Sequence, residues 1–284
     1  TKKTRAIIPV SYHGLPCDLD EIIKIGKKYK IPIIEDNAQT MLGRYKGRYV
    51  GVRTEMSMFS LERTKHISSH EGGILLSNSK TLTEKARKFG GGGFKNLSAD
   101  KSKMAAVIPL EFQSPDFKRH DALGLNYRIS EFCAAIALGQ FEKVDQKVKL
   151  RRDVANLYSK VFKKFPQFQP QKIPKFYHHS YFTYSVKSPF SKLKDWKKFY
   201  NFHIKNKGDD FYAMMSPVYS EQIMKKMGYE KKYKKLCPVT EEIQPRSMLF
   251  KTNYRSLKEA RKFTSILEIN LKRFFSDNIT LRLK

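Results

Sequence analysis

Acidic residues are scarce in this 284-residue chain: 27 Asp and Glu stand against 56 Lys and Arg, a formal net charge of +29. Cysteine is nearly absent. Cys17, Cys133 and Cys237 cannot all pair and have no metal-ligand spacing, which argues against a disulfide scaffold or a zinc site. Free thiols in a reducing cytoplasm are the simplest reading of them. No apolar run approaches the roughly 20 residues that span a bilayer, so no membrane partner is expected. Arginine is also thin, with 15 residues against 41 lysines. The lysines are spread over segments such as KIGKKYK, KLKDWKK and KKYKK, and guanidinium pairs suited to reading base edges are few. The charge therefore reads as solvated lysine-rich faces that help attract an anionic substrate, ahead of a nucleic-acid surface. A nucleic-acid binder is the lesser alternative and would show steep salt dependence.

What is present is enough for a core: 40% of the residues are hydrophobic, and the length suits one large or two modest domains. AIIPVSY at 6–12 is a β-branched run stopped by GLP. Asp18 and Glu21 have capping-box spacing at the head of the helix DLDEIIKIGKKYK, whose Leu19, Ile22, Ile23 and Ile25 lie near one side. IPIIED at 31–36 is the next strand. Strand, helix and strand in this space predict a βαβ unit with parallel strands. GRYKGRYVG at 43–51 reads as a short ribbon, 56–61 and 72–78 as strands, and 82–90 as a helix. Residues 90–123 are irregular, as expected of a lid or of a loop reaching into a partner. From Ser130 the pattern predicts one long amphipathic helix passing Arg151, with Phe132, Ala135, Ile136, Leu138 and Phe141 in the core. HSYFTYSV alternates like a strand, and 256–275 is a closing amphipathic helix. The fold class is α/β. A large domain with a mostly parallel sheet flanked by helices occupies 1–150, and a smaller α/β domain occupies 151–284.

Two motifs carry chemistry. In FSLERTKHISSHEGG, residues 59–73, Lys65 lies between an apolar run and a Glu-Gly-Gly turn; IIEDNAQ, residues 33–39, ends a strand on Asp36. A lysine and a strand-end carboxylate presented this way suit pyridoxal phosphate (PLP). The amine can hold the aldehyde as a Schiff base, and the carboxylate can keep the pyridine nitrogen protonated. Each motif alone is ordinary, since most such lysines are solvated and most such aspartates are helix caps. Together, Glu35-Asp36-Asn37-Ala38-Gln39, Phe59-Ser60-Leu61, Lys65 and Glu71-Gly72-Gly73 resemble the DegT/StrS-type nucleotide-sugar aminotransferases, a fold-type I PLP family. GLNYRISEFCAAIALGQFEKVD at 124–145, HHSYFTYSV at 178–186 and CPVTEEI at 237–243 extend the resemblance in the same order.

The resemblance implies roles. Lys65 attaches the cofactor and shuttles the proton. Asp36 pairs with the pyridinium nitrogen, Gln39 donates to the phenolic oxygen, and Ser60 binds the phosphate. Asn126 reaches the phosphate of a neighbouring subunit, which implies a homodimer with shared sites. His179, Tyr181, Arg128 and His13 are candidate substrate contacts. His66 raises the related sugar 3-dehydratases, in which histidine replaces the lysine, but counting back from Glu71-Gly72-Gly73 puts the cofactor position at Lys65. The implied reaction moves an amino group, with glutamate as donor, to a keto carbon of a nucleotide-linked deoxysugar for polysaccharide or glycan synthesis. Family members usually carry roughly a further hundred residues before a segment like AIIPVSYHGLP, within the size of a domain. The chain is therefore expected to be the C-terminal part of a larger enzyme, and a non-catalytic remnant or interaction module is the competing class.

Overall fold

The computed structural model describes residues 1–100, 113–234 and 236–277. They form two units: Thr1–Asp145 with Phe176–His179, and Gln146–Lys175 with Ser180–Lys284.

The first unit begins with the 7–11 run, then α1 (Leu19–Tyr29), β1 (Ile34–Asp36), β2 (Arg44–Tyr45), β3 (Arg48–Tyr49), β4 (Met56–Ser60), β5 (Gly73–Leu76), α2 (Lys80–Gly90) and α3 (Glu131–Phe141). β1 runs parallel to β4, with Asp36 opposite Met58. On its other side β1 takes the 7–11 run through parallel bridges Ile7–Ile33 and Val10–Asp36. Bridges replace a full ladder because Pro9 and Pro32 have no N–H to donate; their carbonyls instead accept from Asp36 and Ile7, at 2.9 and 3.0 Å. The expected βαβ unit is thus present, with parallel strands. β5 pairs antiparallel with β4, so the motif lysine lies in the connection between two adjacent strands. Gly26 lets α1 pack on this sheet: a Cβ there would come within 2.7 Å of Ile33 Cδ1.

Two expectations change here. Asp18 is the N-cap residue of α1 but makes no capping bond. Its Oδ1 accepts from the Tyr45 hydroxyl at 2.6 Å, so a tertiary contact displaces the capping box. The long helix predicted from Ser130 is two helices, α3 and α4 (Val144–Phe162). The residues assigned to the core on α3 are exposed, Phe132 by 85%, Leu138 by 63%, Ile136 and Phe141 by 52% each; Ala135 is exposed too. Phe132, Ala134–Leu138 and Phe141 surround the helix instead of forming one stripe, the pattern of a helix covered on several sides, and among the described residues that cover is missing. Residues 101–112 of the irregular segment lie outside the described residues. Its flanks are joined by antiparallel bridges, Gly91–Asn126 and Phe94–His120.

The second unit contains most of α4, then β6 (Gln169–Pro170). β7 (Tyr177–His178) belongs to the first unit, where it extends the β2–β3 ribbon. There follow β8 (Thr183–Lys187), α5 (Leu193–Lys205), β9 (Phe211–Ala213), short helices α6 (Gln222–Lys226), α7 (Tyr229–Tyr233) and α8 (Pro238–Ile243), then β10 (Ser247–Lys251) and α9 (Leu257–Asp277). HSYFTYSV is therefore not one strand. Its first four residues, 179–182, are the connection between β7 and β8, in which Tyr181 takes a left-handed φ of 50°. β6, β8, β10 and β9 form an antiparallel sheet in that order. An aromatic core fills its interior: Phe162, Phe168, Phe190, Phe199 and Phe274 are at most 2% exposed. Arg151 of α4 is buried and donates to Phe182 O (3.0 Å) and Thr252 Oγ1 (3.1 Å).

Candidate active site

Asp36 and Ser60 lie at the carboxyl ends of the parallel strands of the first unit, where open α/β sheets bind ligands, and Gln39 and the Lys65 loop follow directly from them. Asp36 ends β1 and Ser60 ends β4; the bond from Asn37 N to Met58 O, 2.9 Å, keeps the two ends in register. Alternation along β1 sends Asp36 and Glu35 to opposite faces. Glu35 is buried and accepts from Gly51 N (2.8 Å), Thr54 Oγ1 (2.8 Å) and Asn37 Nδ2 (3.1 Å). Asp36 is half-buried, and its Oδ1 accepts from Ala38 N at 3.0 Å.

Gln39 follows in the turn. Its Oε1 accepts from His13 N at 2.8 Å, so its amide nitrogen is the end left to donate. His13 sits at the tip of the turn after the 7–11 run with a φ of 58°. Its ring is buried against Tyr12, and burial lowers its pKa to about 4, which keeps it uncharged at neutral pH. Cys17 lies close by. Its thiol donates to Val10 O at 3.1 Å, and burial pushes its pKa up, which favours the neutral thiol.

The lysine loop is closed at its base and anchored by apolar side chains. Leu61 N donates to Gly72 O (2.9 Å), Ser69 N to Leu61 O (3.0 Å) and Ser69 Oγ to Glu71 O (2.8 Å). Leu61, His66 and Ile67 are buried, while Lys65 between them is half-exposed. Ser60 Oγ accepts from Glu62 N at 3.2 Å, leaving the hydroxyl proton to donate. Gly72 is required, because its φ is 132° and a Cβ would meet Ile129 Cδ1 at 3.0 Å. His70 takes a φ of 75° without being glycine, a local strain of order 1–3 kcal/mol.

These groups match the polar atoms of PLP in kind. An amine suits the aldehyde, a carboxylate suits a pyridinium nitrogen, an amide N–H suits a phenolic oxygen, and a hydroxyl suits a phosphate. Asn126 is exposed, and its Oδ1 accepts from Arg128 Nε at 3.0 Å. His179 is buried just after β7 in the first unit. Tyr181, in the second, packs on Tyr184 with ring centroids 6.1 Å apart. The supporting role of Glu35 was missed in the motif. The available signal was its position one residue before Asp36 on a strand that otherwise buries apolar side chains.

The sequence model of the DegT/DnrJ/EryC1/StrS aminotransferase family matches residues 1–261. The chain belongs to that family. PLP is the family's cofactor. A GDP-perosamine synthase of Escherichia coli O157:H7 is 29% identical over 243 residues, covering 86% of this chain and 59% of the relative. The chain thus spans about three-fifths of that relative's length. An aminotransferase from Psychrobacter cryohalolentis superposes with a TM-score of 0.79 at 21% identity, over 96% of this chain and 70% of that one. A sugar-aminotransferase-like protein of Streptococcus pneumoniae in its PLP form gives 0.78 at 16% identity, over 96% and 70%. Among the described residues no helix is long and apolar enough to cross a membrane, and no cluster of His, Cys, Asp and Glu could hold a metal.

Proposed function

We propose that the protein transfers an amino group, with glutamate as donor, to a keto carbon of a nucleotide-linked deoxysugar, and that it works in the cytoplasm to supply polysaccharide or glycan synthesis. The observation that carries this is the convergence of Asp36, Gln39, Ser60 and the Lys65 loop at one end of the sheet, all four side chains half-buried. The GDP-perosamine synthase supports a nucleotide-sugar substrate. Bound PLP supplies the electron sink that labilises bonds at an amino-bearing carbon. Lys65 Nζ would hold the cofactor's aldehyde and, as a free amine, would carry a proton at the reacting carbon. Asp36 would hold a proton on the ring nitrogen. Gln39, its carbonyl oxygen occupied by His13 N–H, would orient the ring through its amide nitrogen, and the Ser60 hydroxyl would hold the phosphate. Lys65, and not its buried neighbour His66, is the group exposed enough to do this, which favours amino transfer over the dehydratase reading.

The test is to add PLP to the purified chain, reduce with borohydride and map the modified peptide. The expected result is a visible absorption band that borohydride abolishes as it fixes the pyridoxyl group onto Lys65, with both band and label lost in Lys65→Ala and the other 40 lysines labelled at background level. A folded protein whose labelling is spread evenly over its lysines overturns the assignment.

The working unit is a homodimer in this reading. Leu125, Tyr127, Ile129 and Phe132 are 40–85% exposed around Asn126 and Arg128, an apolar strip suited to a second copy whose cofactor phosphate Asn126 would reach. Sedimentation of the coloured species at twice the chain mass is expected; a coloured monomer contradicts it.

A further inference from the structure

Glu62 is one of the residues between Ser60 and Lys65, and the resemblance assigns it nothing. Two of its groups bond residues of the candidate site, and a third bonds Thr64 between them. Its N–H donates to Ser60 Oγ at 3.2 Å, and its carbonyl accepts from Lys65 N at 3.0 Å. Its carboxylate Oε2 accepts from both Thr64 N (2.9 Å) and Thr64 Oγ1 (2.6 Å). The hydroxyl and amide of Thr64, followed by the nearby charges of Lys65 and Arg63, hold the Glu62 carboxyl below its usual range, so it is ionised at neutral pH. One side chain thus locks the turn whose backbone also links the phosphate-binding serine to the cofactor lysine.

We propose that Glu62 is a positioning residue for Lys65: by clamping Thr64 it fixes the turn that presents the lysine amine to PLP. The inference rests on the assignment of Lys65 as the attachment site. Thr64 is exposed, so without the clamp water competes for its N–H and the turn loosens. Catalytic groups tolerate misplacement of only about 0.5 Å, and a side chain held by a fixed turn meets that demand better than one on a mobile loop.

The test uses the full chain and two readouts. The first is PLP and borohydride labelling of Lys65, normalised to the other lysines. In Glu62→Ala it is expected to fall about tenfold, the factor carried by one hydrogen bond to a charged acceptor. Glu62→Gln keeps a carbonyl oxygen for Thr64 N–H and is expected to restore most of the labelling. Thr64→Val, which loses only the hydroxyl bond, should lie between. The second readout needs no cofactor: amide hydrogen exchange at Lys65, whose acceptor is a backbone carbonyl present in every variant. It is expected to speed up about tenfold in Glu62→Ala and to return toward wild type in Glu62→Gln. Wild-type exchange at Lys65 in Glu62→Ala overturns the proposal, as does a Glu62→Gln variant no better than Glu62→Ala. If the wild-type chain takes no label at Lys65 while exchange responds as expected, the attachment reading fails and the turn clamp stands.

Discussion

Phe199→Ala is expected to remove about 3–5 kcal/mol from the stability of the second unit, the range for emptying a fully buried aromatic position. Phe199 is 0% exposed on α5. Its ring centroid lies 5.2 Å from that of Phe274, 5.8 Å from Phe190 and 5.9 Å from Phe211, contacts drawn from α9, the segment before α5, and β9. Each well-oriented pair adds about 0.5–1.5 kcal/mol beyond area burial. Because the neighbours belong to separate elements, none can move into the space without giving up its own packing, so little of the cavity collapses. The chain provides its own reporter. Trp196 is the only tryptophan, is buried in this unit, and donates its indole N–H to Ser247 O at 3.2 Å. Its fluorescence should follow unfolding of this unit, with the urea midpoint lowered by roughly 1–5 M for a slope of about 1–3 kcal/mol/M. A change below about 1 kcal/mol would show that the aromatic cluster repacks.

How far these features were legible depends on the range of the interactions behind them. The βαβ start, the ribbon at 43–51 and the closing helix α9 follow from local patterning, and the structure has all three. The Lys65 loop was legible through the resemblance carried by Phe59-Ser60-Leu61, Lys65 and Glu71-Gly72-Gly73, and the structure adds why Gly72 stands there, with a φ of 132°. What failed depended on distant partners. Asp18 has the right chemistry for a cap, but the Tyr45 hydroxyl, 27 residues away, takes its oxygen. The α3 side chains are as apolar as any core helix, and hydrophobicity alone does not say what covers them; within the described residues they remain exposed. HSYFTYSV alternates correctly for a strand, yet only its residues 183–186 pair, as part of β8 with β10, while the residues just before it, Tyr177 and His178, pair with β2, and Tyr181 takes a left-handed turn between the two. In the site, the residues that would touch the cofactor were implied by the resemblance, because a loop lysine and a strand-end carboxylate are ordinary when taken alone. Their supports, Glu35 and Glu62, were not, because they act on backbone N–H groups and hydroxyls that no motif records.

Glu35 allows the sharpest separation of charge from hydrogen bonding. Glu35→Ala is expected to cost roughly 3–5 kcal/mol, because Gly51 N–H and the Asn37 amide lose their buried acceptor, at about 1–3 kcal/mol for each group left unsatisfied, and the Thr54 hydroxyl must fall back on Met56 O. Water entering the space would relieve part of the sum. Glu35→Gln is expected to cost about 1 kcal/mol or less, and the reason is specific to this network. Gly51 N and Asn37 Nδ2 both donate to Oε2, so the glutamine carbonyl oxygen can occupy that position. Its amide nitrogen then faces Thr54 Oγ1, which can accept because its proton has a second acceptor, Met56 O at 3.1 Å. The rotated hydroxyl replaces one hydrogen bond with another, and no buried donor is stranded. Thermal melts of the two variants should therefore differ widely although both remove the same charge. Equal destabilisation would mean that the charge of Glu35 is needed and its acceptor geometry is not. The same contrast should reach the site. Glu35 ties the 51–54 turn to the strand that ends on Asp36, so Glu35→Ala should weaken PLP labelling of Lys65 while Glu35→Gln leaves it near wild type.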